Sequence, residues 1–236
     1  MESGRVRKTA ERVAEEIVND IVMNCLRTGD RLSLEGEMVD RYKASRSSVR
    51  EALRLLEVQG LIVLKPGPGG GPVVGQVDPA NLARTASLYF HLGGATYESI
   101  LRTQAMLEPL CTQLASRHPQ RRMAMEPFVS PVRLRTNDEV RRHDERLHAA
   151  IYRLADNPII TMLTQAISRI VCDHVAVDTS PRRLATIGDE RAALARSVAT
   201  GNAEEASRLM YRLVRAEHNQ LREESPDLLD TLIEWR

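Results

Sequence analysis

Aromatic side chains are scarce: they make up 3% of the 236 residues, with 2 Phe and 1 Trp. A core without them must be packed through Leu, Val, Ile and Ala, which makes a mainly α chain the expectation. Cysteine is scarce too. Cys25, Cys111 and Cys172 are odd in number and never in a CxxC spacing, which argues against a disulfide framework or a zinc ribbon and for reduced, partly buried thiols. No apolar run approaches the length of a bilayer, and no apolar stretch follows Arg5, Arg7 and Lys8, so a cytoplasmic protein without a membrane partner is expected. Net charge is nearly absent at +1: residues 1 to 76 hold 12 basic and 11 acidic side chains, the remainder 21 of each. The GxSxG, HExxH, P-loop and dinucleotide fingerprints are all missing, and nothing else reads as an enzyme's polar constellation.

What is present is concentrated in Ser45 to Gly60, SRSSVREALRLLEVQG. Val49, Ala52, Leu53 and Leu56 recur at offsets of a helical stripe, while Arg46, Arg50 and Arg54 line another. Ser45 or Ser48 caps the start, the latter with Glu51 as a capping box, and Gly60 supplies the left-handed stop. From Arg41 to Arg54 the chain carries five basic residues against one acidic, Glu51. A charged row on a helix is ordinarily a solvated face, but the neighbours argue otherwise. Leu34 to Tyr42 forms a short amphipathic segment, Lys43 and Ala44 a tight turn, and Leu61 to Leu64 a β-prone run. The glycine-rich KPGPGGGP follows, and Val73 to Val77 returns as a second strand, giving a winged helix-turn-helix. A preceding helix from about Thr9 to Arg27, with Val13, Ile17, Val18, Ile21 and Val22 on one side, braces it.

These residues resemble the DNA-binding domain of the GntR family of bacterial repressors. The resemblance rests on Gly29, Leu32, Glu35, Glu37, Met38 and Val39, on Ser45 to Leu53, on Gly60-Leu61-Ile62 and on the glycine-rich wing. Ser33 stands where the family usually has Pro, and Gly36 where it often has Arg. The likeness implies a recognition helix in the major groove, with Arg46, Ser47, Ser48 and Arg50 as contacts and the wing around Gly67 approaching the minor groove. Residues 1–77 are assigned to this domain, with the helix-turn-helix at about 33–58 and the wing at 61–77.

From Asp78-Pro79 the sequence reads as helices: 79–92, 96–118, 137–155, 158–178, 183–200 and 202–223, with a short or kinked one in the proline-interrupted 119–136. Residues 78–228 form this all-α bundle and 229–236 a tail. The half resembles the FCD effector domain of the FadR subfamily, through Leu107-Glu108, Asp144, His148, Asn157-Pro158 and Gly201-Asn202. Many FCD domains hold a divalent metal on an Asp, a His one turn later and two further His. Asp144 and His148 match the first two, but Arg191 and Leu213 fall on the others and coordinate no cation, which argues against a metal. Arg191 instead pairs with Asp144 in this reading, either as a salt bridge filling the former metal pocket or as a ligand contact. His218, five residues past Leu213, points elsewhere, and His91, His118, His143 and His174 are surface or partly packed. Gln104 stands where the family pocket often has Arg. The effector class therefore stays open between an organic acid and an acyl-CoA, with Gln104, Asp144, His148 and Arg191 as the candidate pocket. The resemblance implies a homodimer on a near-palindromic double-stranded DNA operator, a repressor modulated by a small metabolite. Leu194, Val198, Leu209 and Leu213 serve either the core or the dimer. An effector-independent architectural DNA-binding protein is the alternative.

Overall fold

The computed structural model describes residues 2–67, 69–174 and 181–235, and the chain divides into two compact units, Met1–Asn81 and Leu82–Arg236. In the first, helices α1 (Glu2–Met23), α2 (Glu35–Tyr42) and α3 (Arg46–Val58) are followed by the antiparallel strands β1 (Ile62–Lys65) and β2 (Gly71–Val74). Ala10, Val13 and Ile17 of α1 meet Met38 and Tyr42 of α2, the apolar stripe of α3 and Ile62 of β1 in one core.

Helix α1 stops a turn earlier than the apolar pattern predicts, and Val22 is left exposed. The reason lies in the next segment: Cys25 turns left-handed (φ 51), and the chain then runs beside β2, with Gly29 N donating to Val74 O and Leu32 N to Pro72 O. The connecting residues thus join the sheet edge instead of the helix. Asp20, on the last turns of α1, anchors the far end of α2 by accepting from the Tyr42 hydroxyl at 2.5 Å and pairing with Arg41 at 2.6 Å. The strands also shift from expectation. Leu61 N donates to Leu56 O and so belongs to the end of α3, and the ladder starts one residue later, pairing Ile62 with Val74 and Lys65 with Gly71.

The described elements of the second unit are helices, joined by loops and one isolated bridge between Thr96 and Leu232. Helix α4 (Pro79–Leu92) leads into α5 (Tyr97–Ala115), α6 (Arg121–Met125) with a 3₁₀ turn at Glu126–Phe128, α7 (Asn137–Leu154) and α8 (Pro158–His174). Helices α9 (Pro181–Thr200), α10 (Ala203–Glu224) and the short α11 (Pro226–Leu229) complete it. The expected continuation of α8 to residue 178 lies outside the described residues. The short helix and turn at 121–128 are what the prolines permit: Pro127 lacks the N–H an extended helix would need.

Helix α5 is the central rod, with α7, α8 and α10 packed on it. Leu147, Ile151, Leu194, Val198, Met210 and Leu213 fill the core that α5, α7 and α10 share with α9, so Leu194, Val198 and Leu213 belong to the domain interior, with Leu209 packed against it. Gly188 is required where it stands: a Cβ there would lie 1.9 Å from the Val132 carbonyl oxygen, so only glycine lets α9 approach that loop. Residues 229–235, expected as a tail, are pinned instead. Thr231 O accepts from Tyr97 N, Ile233 N donates to Ala95 O, and Ile233 is buried.

Candidate nucleic-acid interface and the polar centre of the helical unit

The start of α3 is set by its own side chains. Ser45 is the N-cap, its Oγ accepting from Ser48 N at 3.2 Å, and it lies 2.9 Å from Ser47 Oγ. The left-handed Lys43 (φ 48) brings α2 and α3 together through the tight turn expected there, and Gly60 (φ 73) closes the far end. Because the stripe Val49, Ala52, Leu53 and Leu56 is buried, the opposite face is fixed outward, and Arg46, Ser47, Arg50 and Arg54 are all exposed on it. Ser48, expected to act with them, is instead 2% exposed, with its hydroxyl 3.0 Å from Ser45 Oγ; it is spent inside the cap and leaves the outward set. Arg50 Nε donates to Glu35 Oε2 of α2 at 2.9 Å, with both side chains in solvent. Gly67 is exposed at the hairpin tip with φ 92, and nothing lies within 4 Å of where a Cβ would be.

In the helical unit the candidate residues gather in a polar centre. Asp144, His148 and Tyr152 follow one another at four-residue spacing on α7, and Gln104 and Glu108 do so on α5. Arg191 of α9 is 2% exposed, and its Nε and Nη2 donate to the two carboxylate oxygens of Asp144 at 2.8 and 2.9 Å. The same Nη2 donates to Glu217 Oε1 of α10 at 2.7 Å. Burial alone would raise Asp144, but the hydrogen bonds and charge of Arg191 outweigh it and hold the carboxyl well below the usual carboxylate range. His148 Nδ1 lies 2.9 Å from the Asp144 carbonyl oxygen, and Nε2 faces Glu108 Oε2 at 3.9 Å. Burial pulls that imidazole down, yet Glu108 and Asp144 together leave it raised.

Glu108 is 1% exposed and accepts from the Tyr152 hydroxyl and, at 2.7 Å, from Ser168 Oγ. Gln104 continues the chain, donating to Ser168 Oγ at 3.2 Å and lying 3.0 Å from His218 Nε2. His218 therefore does not point away from the centre, as its spacing from Leu213 implied; it is buried and joined to it through Gln104. Tyr152, Ser168 and Glu217 were not singled out from sequence, and Glu108 only as a mark of the FCD resemblance, not as part of the pocket. The four-residue rows on α5 and α7 carried the signal for Glu108 and Tyr152, whereas Ser168 and Glu217 have no such marker. No group of three or more His, Cys, Asp or Glu that could hold a metal ion occurs among the described residues. The pair Asp144 and His148, with Arg191 and Leu213 beside it, does not fit the FCD metal.

Residues 9–70 match the family described as bacterial regulatory proteins of the gntR family, and residues 99–216, half of the chain, match the FCD domain. The chain belongs to the GntR family. The Uxu operon regulator of Haemophilus influenzae is 36% identical to this GntR protein over 64 residues, 27% of this chain and 24% of that one. The uncharacterized HTH-type transcriptional regulator YcbG of Bacillus subtilis is 26% identical over 176 residues, 73% of this chain and 72% of that one. A Streptococcus agalactiae GntR structure covers 89% of this chain and 99% of its own with a TM-score of 0.59 at 16% identity, a likeness of fold. The chain is thus a transcriptional regulator carrying an FCD effector-binding domain and not an enzyme. The exposed face of α3 lies inside the first matched segment; Gln104, Asp144, His148 and Arg191 lie inside the second, and Glu217 and His218 just beyond it. No helix is long and apolar enough to cross a membrane among the described residues.

Proposed function

We propose that this GntR protein is a repressor of the FadR subfamily that binds a near-palindromic operator as a homodimer and releases it when a small metabolite occupies the helical unit. The observation that carries the DNA-binding part is the solvent-facing start of α3, where Arg46, Ser47 and Arg50 project from a helix whose other face is locked into the core. An arginine there donates a bidentate pair to guanine, a serine hydroxyl meets phosphate oxygen, and Gly67 lets the hairpin tip approach the minor groove without a side chain. A two-fold site needs a second copy, and the helical unit offers it an apolar face: Met106 and Leu110, one turn apart on α5, and Ile159 and Leu163, one turn apart on α8, are exposed. These pairs flank the Cys111–Thr164 contact, where the two helices meet at 3.3 Å.

The test is fluorescence anisotropy with DNA from the protein's own upstream region, titrated against salt. Wild-type protein binds with a steep salt dependence, and Arg46→Ala and Arg50→Ala bind weaker. Equal affinity of both variants and wild type removes α3 from the reading. Sedimentation of a Leu110→Glu/Leu163→Glu variant as a dimer removes the proposed face.

One observation favours the alternative of an effector-independent regulator. The cavity lined by His148, Arg191, Leu213 and Glu217 holds only about 10 Å³. That is room for a single water at most. A thermal-shift screen with organic acids and acyl-CoAs separates the readings, since a ligand of the native state raises the melting temperature.

A further inference from the structure

We propose that the Arg191 guanidinium is a resident cation of the helical unit, seated where FCD relatives hold a divalent metal ion, and that it joins α7, α9 and α10 in the ion's place. The proposal rests on the FCD assignment alone and on neither DNA binding nor any effector.

Two carboxylates converge on one point from different helices, Asp144 from α7 and Glu217 from α10, and the group that meets both is the guanidinium. Asp144 is engaged through both oxygens, the bidentate fork that arginine makes and a metal-bound imidazole cannot. Asp144, with a side chain only 20% exposed, demands a positive partner there, because an uncompensated carboxylate largely away from water is strongly unfavourable; Glu217 reaches the same guanidinium from the solvent side, its side chain 47% exposed. Arginine supplies that charge permanently: it is not deprotonated in proteins, and it carries donors only, so it replaces an ion without being able to ligate one.

The surroundings agree. Leu213 brings no lone pair to the site and packs with Leu147, Leu194, Met210 and Val214 around the guanidinium. The remaining space of about 10 Å³ has no room for an ion with even one water of its own shell. The imidazole of His148 is held by the Asp144 carbonyl on one side and looks toward Glu108 on the other, so it ties α5 to the same centre. The cross-link that a removable ion provides is here part of the covalent chain, and it follows that the helical unit keeps its stability when metals are stripped.

The experiment uses the full chain in three buffers: with EDTA, metal-free, and with added Zn²⁺. Melting temperatures are read in each, together with the metal content of the purified protein. Wild-type protein is expected to melt at the same temperature in all three and to carry no stoichiometric metal. Arg191→Met, which keeps the bulk and removes the charge, is expected to melt roughly 6 °C lower or more. Arg191→His is expected to melt low in EDTA and to recover with Zn²⁺ in a saturable way, because a third donor then stands beside Asp144 and His148. A wild-type protein that loses stability in EDTA, or that co-purifies with one metal ion per chain, overturns the proposal. So does an Arg191→Met protein as stable as wild type, or an Arg191→His protein indifferent to zinc. Should Arg191→Met fail to fold, the wild-type and zinc arms still decide the matter.

Discussion

Arg50 and Arg191 carry the same guanidinium to opposite ends. The Arg50 side chain is 67% exposed and makes one ion pair with a carboxylate that is itself in solvent; that of Arg191 is 2% exposed and donates three hydrogen bonds to two carboxylates from two helices. A surface pair contributes on the order of 0 to 1 kcal/mol, so Arg50 stays available to an incoming anion. A buried pair broken at one partner costs about 3 to 5 kcal/mol, so Arg191 is committed to the fold. The two units thus divide the work: the first keeps its charge outward for a ligand, the second uses charge to hold helices.

The largest expected effect tests this division directly. Arg191→Met should lower unfolding stability by about 3 to 5 kcal/mol in urea titrations, by leaving the largely buried Asp144 without its cation. Arg54→Met on the exposed face of α3 should stay within about 0.5 kcal/mol. Equal losses in the two variants would erase the contrast.

The unequal legibility of the two units has the same root. On α3 everything needed lay within sixteen residues: the buried stripe, the arginine row, Ser45 and Gly60 are local signals, and the helix ends where they say. A serine in the first turn reads alike whether it caps or faces out; the hydrogen bond from Ser48 N to Ser45 Oγ and the burial of Ser48 decide it. In the helical unit, the spacing of Asp144 and His148 placed them on one face, yet their partners come from residue 108, from 191 and from 217. Helical periodicity is silent on which distant face meets which. Neither the pairing of Glu217 with Arg191 nor the link of His218 to Gln104 has a local signature.

Titration sharpens the comparison at the next level down. Burial, and then the nearby Arg215, hold His218 down at about 4. An unfolded histidine titrates near 6.5, so the folded state binds fewer protons between these values and loses stability as the pH falls. The contribution, on the order of 3 kcal/mol at full effect, is present above pH 6.5 and lost as pH falls through about 4. His148 runs the other way: its raised value makes its contribution complete below 6.5 and lost as pH rises through the folded value. Melting curves from pH 4 to 9 should therefore flatten on the acid side in His218→Gln and on the alkaline side in His148→Gln. An unchanged acid limb in His218→Gln would mean that another group carries the loss. Asp144 adds to this limb only at its foot: Arg191 keeps it ionised in the folded state, so its own loss begins where an unfolded carboxyl protonates, at about 3.9, well below the value of about 6.5 at which the His218 loss begins.

Arg46→Ala and Arg50→Ala come third, at about 1 to 3 kcal/mol of operator affinity each, with melting temperatures close to wild type. If one of them reads a base and the other a phosphate, the two separate in kind. The first relaxes preference at one position, and the second weakens all sequences alike while reducing the salt slope by about one. Anisotropy titrations on the operator and on a scrambled duplex distinguish them.

The smallest effect isolates the exposed pair itself. Glu35 opens α2 with its carboxylate on Arg50 Nε, and if the exposed basic face of α3 meets DNA as proposed, a carboxylate beside it opposes binding in two ways, by occupying the arginine and by repelling the backbone. Glu35→Gln removes the charge and keeps the shape. Binding should tighten by about 0.2 to 1 kcal/mol, roughly 1.5- to 5-fold in Kd, on operator and scrambled DNA alike, because phosphate contacts carry no sequence information. Weaker binding would give Glu35 the opposite role: its ion pair would then hold Arg50 in the pose that meets DNA, and part of the difference between the exposed and the buried arginine would disappear.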